Sequence, residues 1–204
     1  MKNLITFITL CLLTIITVEE SYAQEKFTAY DNTYIGKTFD INLSLEEEEL
    51  YIDAMSLDEL YDKGGIRISK KQHQDFLNAI AEAKTKYIEW VKIAKENNVK
   101  TFNKSMNIKS VVGSYFLYGS EWKSQLIVNL AFDFQILEDE GELTYLLIIR
   151  TGELKASSNE HLKVDGFLLV FSSVNEIDAF TNEISRQKIN AFIPKPKEKD
   201  LFKD

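Results

Sequence analysis

Histidine comes first, because imidazole moves protons and binds metals near neutral pH. The chain has two, His73 and His161, and no His-Glu-x-x-His run. His73 falls on the first turns of a helical pattern and His161 in a polar loop. Both are expected at the surface, and no metal site is expected from them. Carboxylates form two clusters, Glu46–Glu49 and Glu138–Glu142. The second could gather oxygens around a calcium ion at a tight turn. It lacks the alternating Asp spacing of an organised calcium loop, so a solvated hairpin turn is expected. A glycoside-cleaving carboxylate pair is defined by separation in space, which a sequence does not display.

Nucleophiles are poorly provided. Gly113-Ser114 and Gly119-Ser120 do not make a Gly-x-Ser-x-Gly elbow, and Ser157-Ser158 lies in a loop. Gly64-Gly65 precedes Ile66-Arg67-Ile68 without a phosphate-loop lysine or a Gly-x-Gly-x-x-Gly pattern, so both glycines read as a turn. No catalytic residue, cofactor site or metal site is therefore assigned. Trp122 and Tyr118 flank or occupy an expected hairpin turn, Gly119–Ser124. An aromatic exposed there would be the best candidate for contact with a partner.

The start of the chain reads as an export signal. Lys2 gives a positive end, Leu4–Val18 is an uncharged and mostly apolar run, and Ser21-Tyr22-Ala23 places small residues before Gln24. Cleavage is expected between Ala23 and Gln24. As a helix, the apolar run would rise about 22 Å, short of the roughly 30 Å hydrocarbon core of a membrane. No transmembrane segment is expected after cleavage. The single cysteine, Cys11, lies mid-run after Leu10, which does not suit a lipidation site. Its loss would leave a mature chain with no disulfide and no thiol chemistry. The form of the signal and the Lys-, Asn- and Ile-rich composition point to a bacterial protein, periplasmic or secreted. The sequons at Asn42 and Asn103 are expected to carry no glycan there.

With 24 basic and 32 acidic residues, the net charge is −8. Such a chain is a poor nucleic-acid binder and gains nothing from an anionic membrane surface. A hydrophobic fraction of 45% excludes bulk disorder. The charge is uneven: Asp40–Asp62 holds nine acidic and no basic residues, while Lys70–Lys104 holds eight lysines and four acids. Two solvated faces, or an acidic patch for a partner, are both consistent with this.

The elements that must position these residues follow from periodicity. Gln24–Lys37 reads as irregular surface chain. Thr38–Leu43 alternates as a strand. Leu45–Tyr61 suits either a helix or a strand followed by a short helix; the capping boxes at Ser44 and Ser56 favour the helix. Lys70–Asn97 is the clearest element, with Phe76, Ile80, Ala83, Tyr87, Val91 and Ala94 at helical spacing and Asn97-Asn98 as a stop. Strands are then expected at Val111–Gly119, at an unbroken Leu126–Ile136, at Leu143–Thr151 and at Phe167–Ser172. A polar loop spans Thr151–Leu162. A last helix runs from Ser173 to Ala191.

The expected fold is α+β: an antiparallel meander of four to five strands, a long amphipathic helix before it and a shorter one after it. That outline resembles cystatin-like α+β scaffolds in shape, and such scaffolds serve many roles. Residues 24–193 would form one domain after the signal segment 1–23, with 194–204 an extended charged tail. The functional expectation is a non-enzymatic binding module for a protein or small apolar ligand. A component of cell-envelope assembly is the alternative, and a carboxylate-dependent hydrolase stands behind both.

Overall fold

A computed structural model describes residues 24–194. The segment read as an export signal, with Cys11 and the Ala23 side of the expected cleavage, and residues 195–204 of the expected tail lie outside the described residues. The chain is a mixed α+β structure with antiparallel sheets. In order, the elements are β1 (Gln24–Asn32), β2 (Lys37–Ser44), β3 (Glu49–Asp53), β4 (Met55–Ser56), β5 (Gly64–Ile68), α1 (His73–Glu96), β6 (Phe102–Met106), β7 (Val111–Tyr118), β8 (Glu121–Asn129), β9 (Ala131–Asp139), β10 (Glu142–Arg150), β11 (Leu154–Ala156), β12 (Asn159–Val164), β13 (Phe167–Phe171), α2 (Val174–Glu183) and α3 (Arg186–Phe192).

Two larger sheets share the core. The first runs β1-β2-β3-β5-β7-β8 and the second β4-β13-β10-β9-β6, with β11–β12 as a separate hairpin. The chain passes between the sheets five times, twice through a single buried residue: Ala54 joins β3 to β4, and Leu130 joins β8 to β9. Ile41, Ile52, Ile66 and Phe116 of the first sheet share one apolar cluster with Phe132, Leu147 and Leu169 of the second and with Phe76, Ile80 and Ala83 of α1. Tyr87 of α1 ties the helix to the second sheet, its hydroxyl lying 3.1 Å from the Tyr145 carbonyl and 3.0 Å from that of Ser172.

The long helix forms where its period predicts, and the pair Glu82–Lys86 closes at 2.7 Å along its surface. Asn98, at φ 54°, ends it in the left-handed conformation that asparagine tolerates. The hairpin β9–β10 turns through Glu140 and Gly141, both at positive φ, where glycine carries no steric penalty.

Other expectations are corrected. There are thirteen strands among the described residues, not four to five, and the long helix lies between β5 and β6 rather than before the sheet. Strands as short as β4 and β11 have too few residues to show a period. β1 is a strand rather than irregular chain; a bulge at Phe27 breaks its alternation. Leu45–Tyr61 forms no helix. Glu48 turns the chain at φ 51°, and Leu50 and Ile52 then pair with β2 and β5, burying both side chains. The second capping box closes a local turn instead: Ser56 Oγ accepts from the Asp58 amide at 3.0 Å and Asp58 Oδ1 from the Leu60 amide at 2.9 Å.

The run Leu126–Ile136 is two strands in two sheets, because β8 pairs with β7 while β9 pairs with β6 and β10. Leu126 is exposed as a result. The polar loop after Thr151 is the hairpin β11–β12, with Ser157-Ser158 at its turn. The last helix is two, because Ser185 adopts an extended conformation and accepts from the Lys188 amide as a fresh N-cap.

Candidate functional site

The functional candidate is built around β3. Alternation along a strand places Glu49, Tyr51 and Asp53 on the face opposite Leu50 and Ile52. Register then sets Asp53 beside Gly65 of β5, and Gly65 beside Tyr115 of β7. Glycine puts no side chain between them, and the Tyr115 hydroxyl donates to Asp53 Oδ1 at 2.5 Å. The glycine is also required by the backbone. A Cβ at Gly65 would stand 1.9 Å from the Ile52 carbonyl oxygen, and one at Gly64, where φ is 151°, would stand 2.4 Å from that of Tyr115. Gly64-Gly65 therefore begins a strand and permits close approach; it is not the turn its sequence suggests.

Aromatic rings and polar side chains continue this face. Tyr51 meets Tyr115 edge-on, with ring centroids 5.3 Å apart. The Tyr51 hydroxyl donates to Glu49 Oε2 at 3.0 Å, and Arg67 Nε lies 3.3 Å from the other Glu49 oxygen. Tyr115 in turn faces Trp122 of β8 at 5.7 Å. Trp122 is 59% exposed. Beside it opens a cleft of 520 Å³, within the usual range for a small-molecule site. Asp53, Asp62, Asn42, Gln24 and Lys63 line it together with the rings of Phe39, Tyr115 and Trp122.

The electrostatics follow from burial. Asp53 is held above the usual carboxylate range, mainly because burial penalises its charge and further because Asp40 stands nearby; the Tyr115 hydrogen bond and Lys26 oppose the rise. Burial and then Glu49 push the Tyr51 hydroxyl up to about 12. Burial, followed by Asp53, also raises Tyr115. Both phenols stay protonated at neutral pH and act there as donors. Chemically the cleft offers one half-buried carboxyl, a second acidic residue, amides, a lysine and an exposed indole. Neither histidine lines it.

Of the residues singled out by sequence, Trp122 lies at this cleft, on β8 rather than on the tip of the turn. Tyr118 does not line it; its ring stacks on Tyr61 at 4.4 Å. His73 is corrected: it is 5% exposed, not at the surface, and its Nε2–H donates to the Ile184 carbonyl at 2.7 Å. Burial, and secondarily Arg186, lowers its pKa. His161 is exposed on β12. Glu48 of the first acidic cluster pairs with Lys70 and Arg186, which hold its pKa low, and Glu49 is committed to Tyr51 and Arg67. Glu138 of the second cluster reaches Lys100 at 2.8 Å. Among the described residues no group of three His, Cys, Asp or Glu side chains is placed to hold a metal. Ser114 is buried, donating to the Gly65 carbonyl at 2.6 Å.

Asp53, Asp62 and Tyr115 were not foreseen as site residues. The one signal that could have found them was Gly64-Gly65, had paired glycines ahead of an alternating run been read as strand contact. No helix among the described residues is long and apolar enough to cross a membrane. Comparison with protein-family models, curated proteins and solved structures finds no match to this chain.

Proposed function

We propose that this protein is an exported binding module that takes a small ligand in the cleft beside Trp122. The observation that carries the reading is the exposure of that indole at the lip of a concave, partly aromatic cleft. A large ring left in water there costs burial energy that a ligand face would recover, and such rings anchor many binding sites. The lining favours a small ligand with polar groups over the protein or small apolar ligand expected from sequence. Export rests on the signal pattern of residues 1–23. Cleavage after Ala23 would make Gln24, which lines the cleft, the first residue of the mature chain.

The test is a thermal-shift screen of the chain beginning at Gln24 against a library of sugars, amino acids, amines and carboxylic acids. Compounds that raise the melting temperature of the wild type and not of Trp122→Ala support the reading. A screen without such a compound overturns it.

A second reading, a carboxylate-dependent hydrolase, draws on one observation: Asp53, with its raised pKa, and Asp62 line the same cleft. It expects Asp53→Asn and Asp62→Asn each to abolish turnover of a bound compound while retaining its binding. Bound compounds recovered unchanged from the wild type exclude it.

A further inference from the structure

We infer that the cleft beside Trp122 takes a carbohydrate, a sugar ring that lays one C–H face on the indole and turns its hydroxyls to Asp53, Asn42 and Gln24. The inference rests on the ligand-binding reading above and adds the class of ligand.

Three observations select that class. The first is the mixture of hydrogen-bonding types. Asp53 and Asp62 accept only, Lys63 donates only through its side chain, and Asn42 and Gln24 do both. An organic cation could use the acceptors and would meet Lys63 as a repelling charge. An anion would meet two carboxylates. A hydroxyl both donates and accepts, so a polyhydroxylated ring can use every member of the set without a net charge of its own. The second is the flat apolar surface. An aromatic face carries negative electrostatic potential and attracts the weakly positive C–H bonds on one side of a sugar ring. The tilt of 48° between Trp122 and Tyr115 keeps the two rings from stacking on each other, leaving indole surface exposed. The third is rigidity. Asp53 is held by Tyr115, and Tyr115 by Tyr51, so the carboxyl is oriented before any ligand arrives.

The test combines a carbohydrate array with fluorescence titration. The chain beginning at Gln24 is applied to an array of neutral and charged mono- to tetrasaccharides. Array hits, and separately benzylamine and benzoate, are titrated into a Trp90→Phe variant so that Trp122 is the reporting indole. The expected result is binding of one sugar family with a shifted indole emission, and, by isothermal titration calorimetry of the same sugar, at least a tenfold loss of affinity in Trp122→Ala with an unchanged melting temperature. Asn42→Ala should weaken the same sugar without moving the emission of the free protein. Binding of benzylamine or benzoate with no response to any sugar overturns the carbohydrate assignment and leaves the cleft a ligand site of another class. Absence of any response to sugars, amine and acid alike overturns the assignment and the ligand-binding reading together.

Discussion

The two tryptophans sit in surface hollows of opposite character. Trp90 lies on α1 above the second sheet, edge-on to Phe134 at 5.7 Å, with Lys104 Nζ 5.0 Å from its ring. Its hollow, 240 Å³, is lined almost wholly by apolar groups such as Ile93, Val99, Phe102 and Ile136. Trp122 lies on the first sheet with its ring 5.7 Å from that of Tyr115, and lines a cleft with carboxylates and amides. Helix packing accounts for Trp90, because its ring closes α1 onto β9 beside Tyr87. Packing accounts for less of Trp122, which is 59% exposed. An aromatic whose position packing explains serves stability; the exposed one, next to oriented polar groups, is the one proposed for binding.

The comparison breaks most readily at the glycines that build the Trp122 side. Gly65→Ala would force a Cβ into the Ile52 carbonyl and separate β3 from β5. A loss of about 3 kcal/mol or more in urea unfolding is expected, and an unfolding midpoint close to wild type would show that close approach is not required. The tryptophans themselves come next. Trp90→Ala should cost roughly 2–3 kcal/mol, somewhat less than a fully buried aromatic, while Trp122→Ala should stay within about 0.5 kcal/mol. Equal losses at the two sites would erase the distinction drawn between them.

His73 probes the packing of α1 on the segment after α2. His73→Ala leaves the Ile184 carbonyl without its donor, a loss of about 1–2 kcal/mol. The folded protein binds a proton at His73 less readily than the unfolded chain, whose value is near 6.5. Stability from this group is therefore complete above pH 6.5 and declines as pH falls through the lowered folded value. The wild type should lose stability across that window faster than the variant; parallel pH curves would refute the assignment.

The smallest effect is expected at Asp53. Its folded pKa lies above the ordinary 3.8, so its contribution is present below pH 3.8 and is lost as pH rises through the folded value. Asp53→Asn keeps an acceptor for Tyr115 and removes the titration. Its stability relative to wild type should rise from pH 3 toward pH 7 in denaturant titrations, and a relative decline over that range would contradict the sign.

Much of the architecture was legible because it is written locally. The 3.6-residue spacing of Phe76, Ile80, Ala83 and Tyr87, the serine cap of α2 and the positive-φ turn at Glu140-Gly141 each involve residues a few positions apart. The same local reading failed where one pattern served two structures. Leu50, Leu57 and Tyr61 are spaced as a helix face, yet Leu50 and Ile52 were claimed by pairing with β2 and β5. The alternation of Val128 through Phe132 runs unbroken over a corner at Leu130 that only the pairing partners create.

The amino-acid sequence by itself determined the α+β composition, the long helix and most of the later strands, since a period or a cap needs only neighbouring residues. It also carried the expectation of an export signal at residues 1–23. Tertiary structure alone decided that His73 is buried against Ile184, 111 residues away, and that Tyr115 bonds Asp53 across 62. Those choices depend on which strands lie side by side. Pairing is settled by the shared burial of both sheets and α1, a property of the assembled core that no single segment contains.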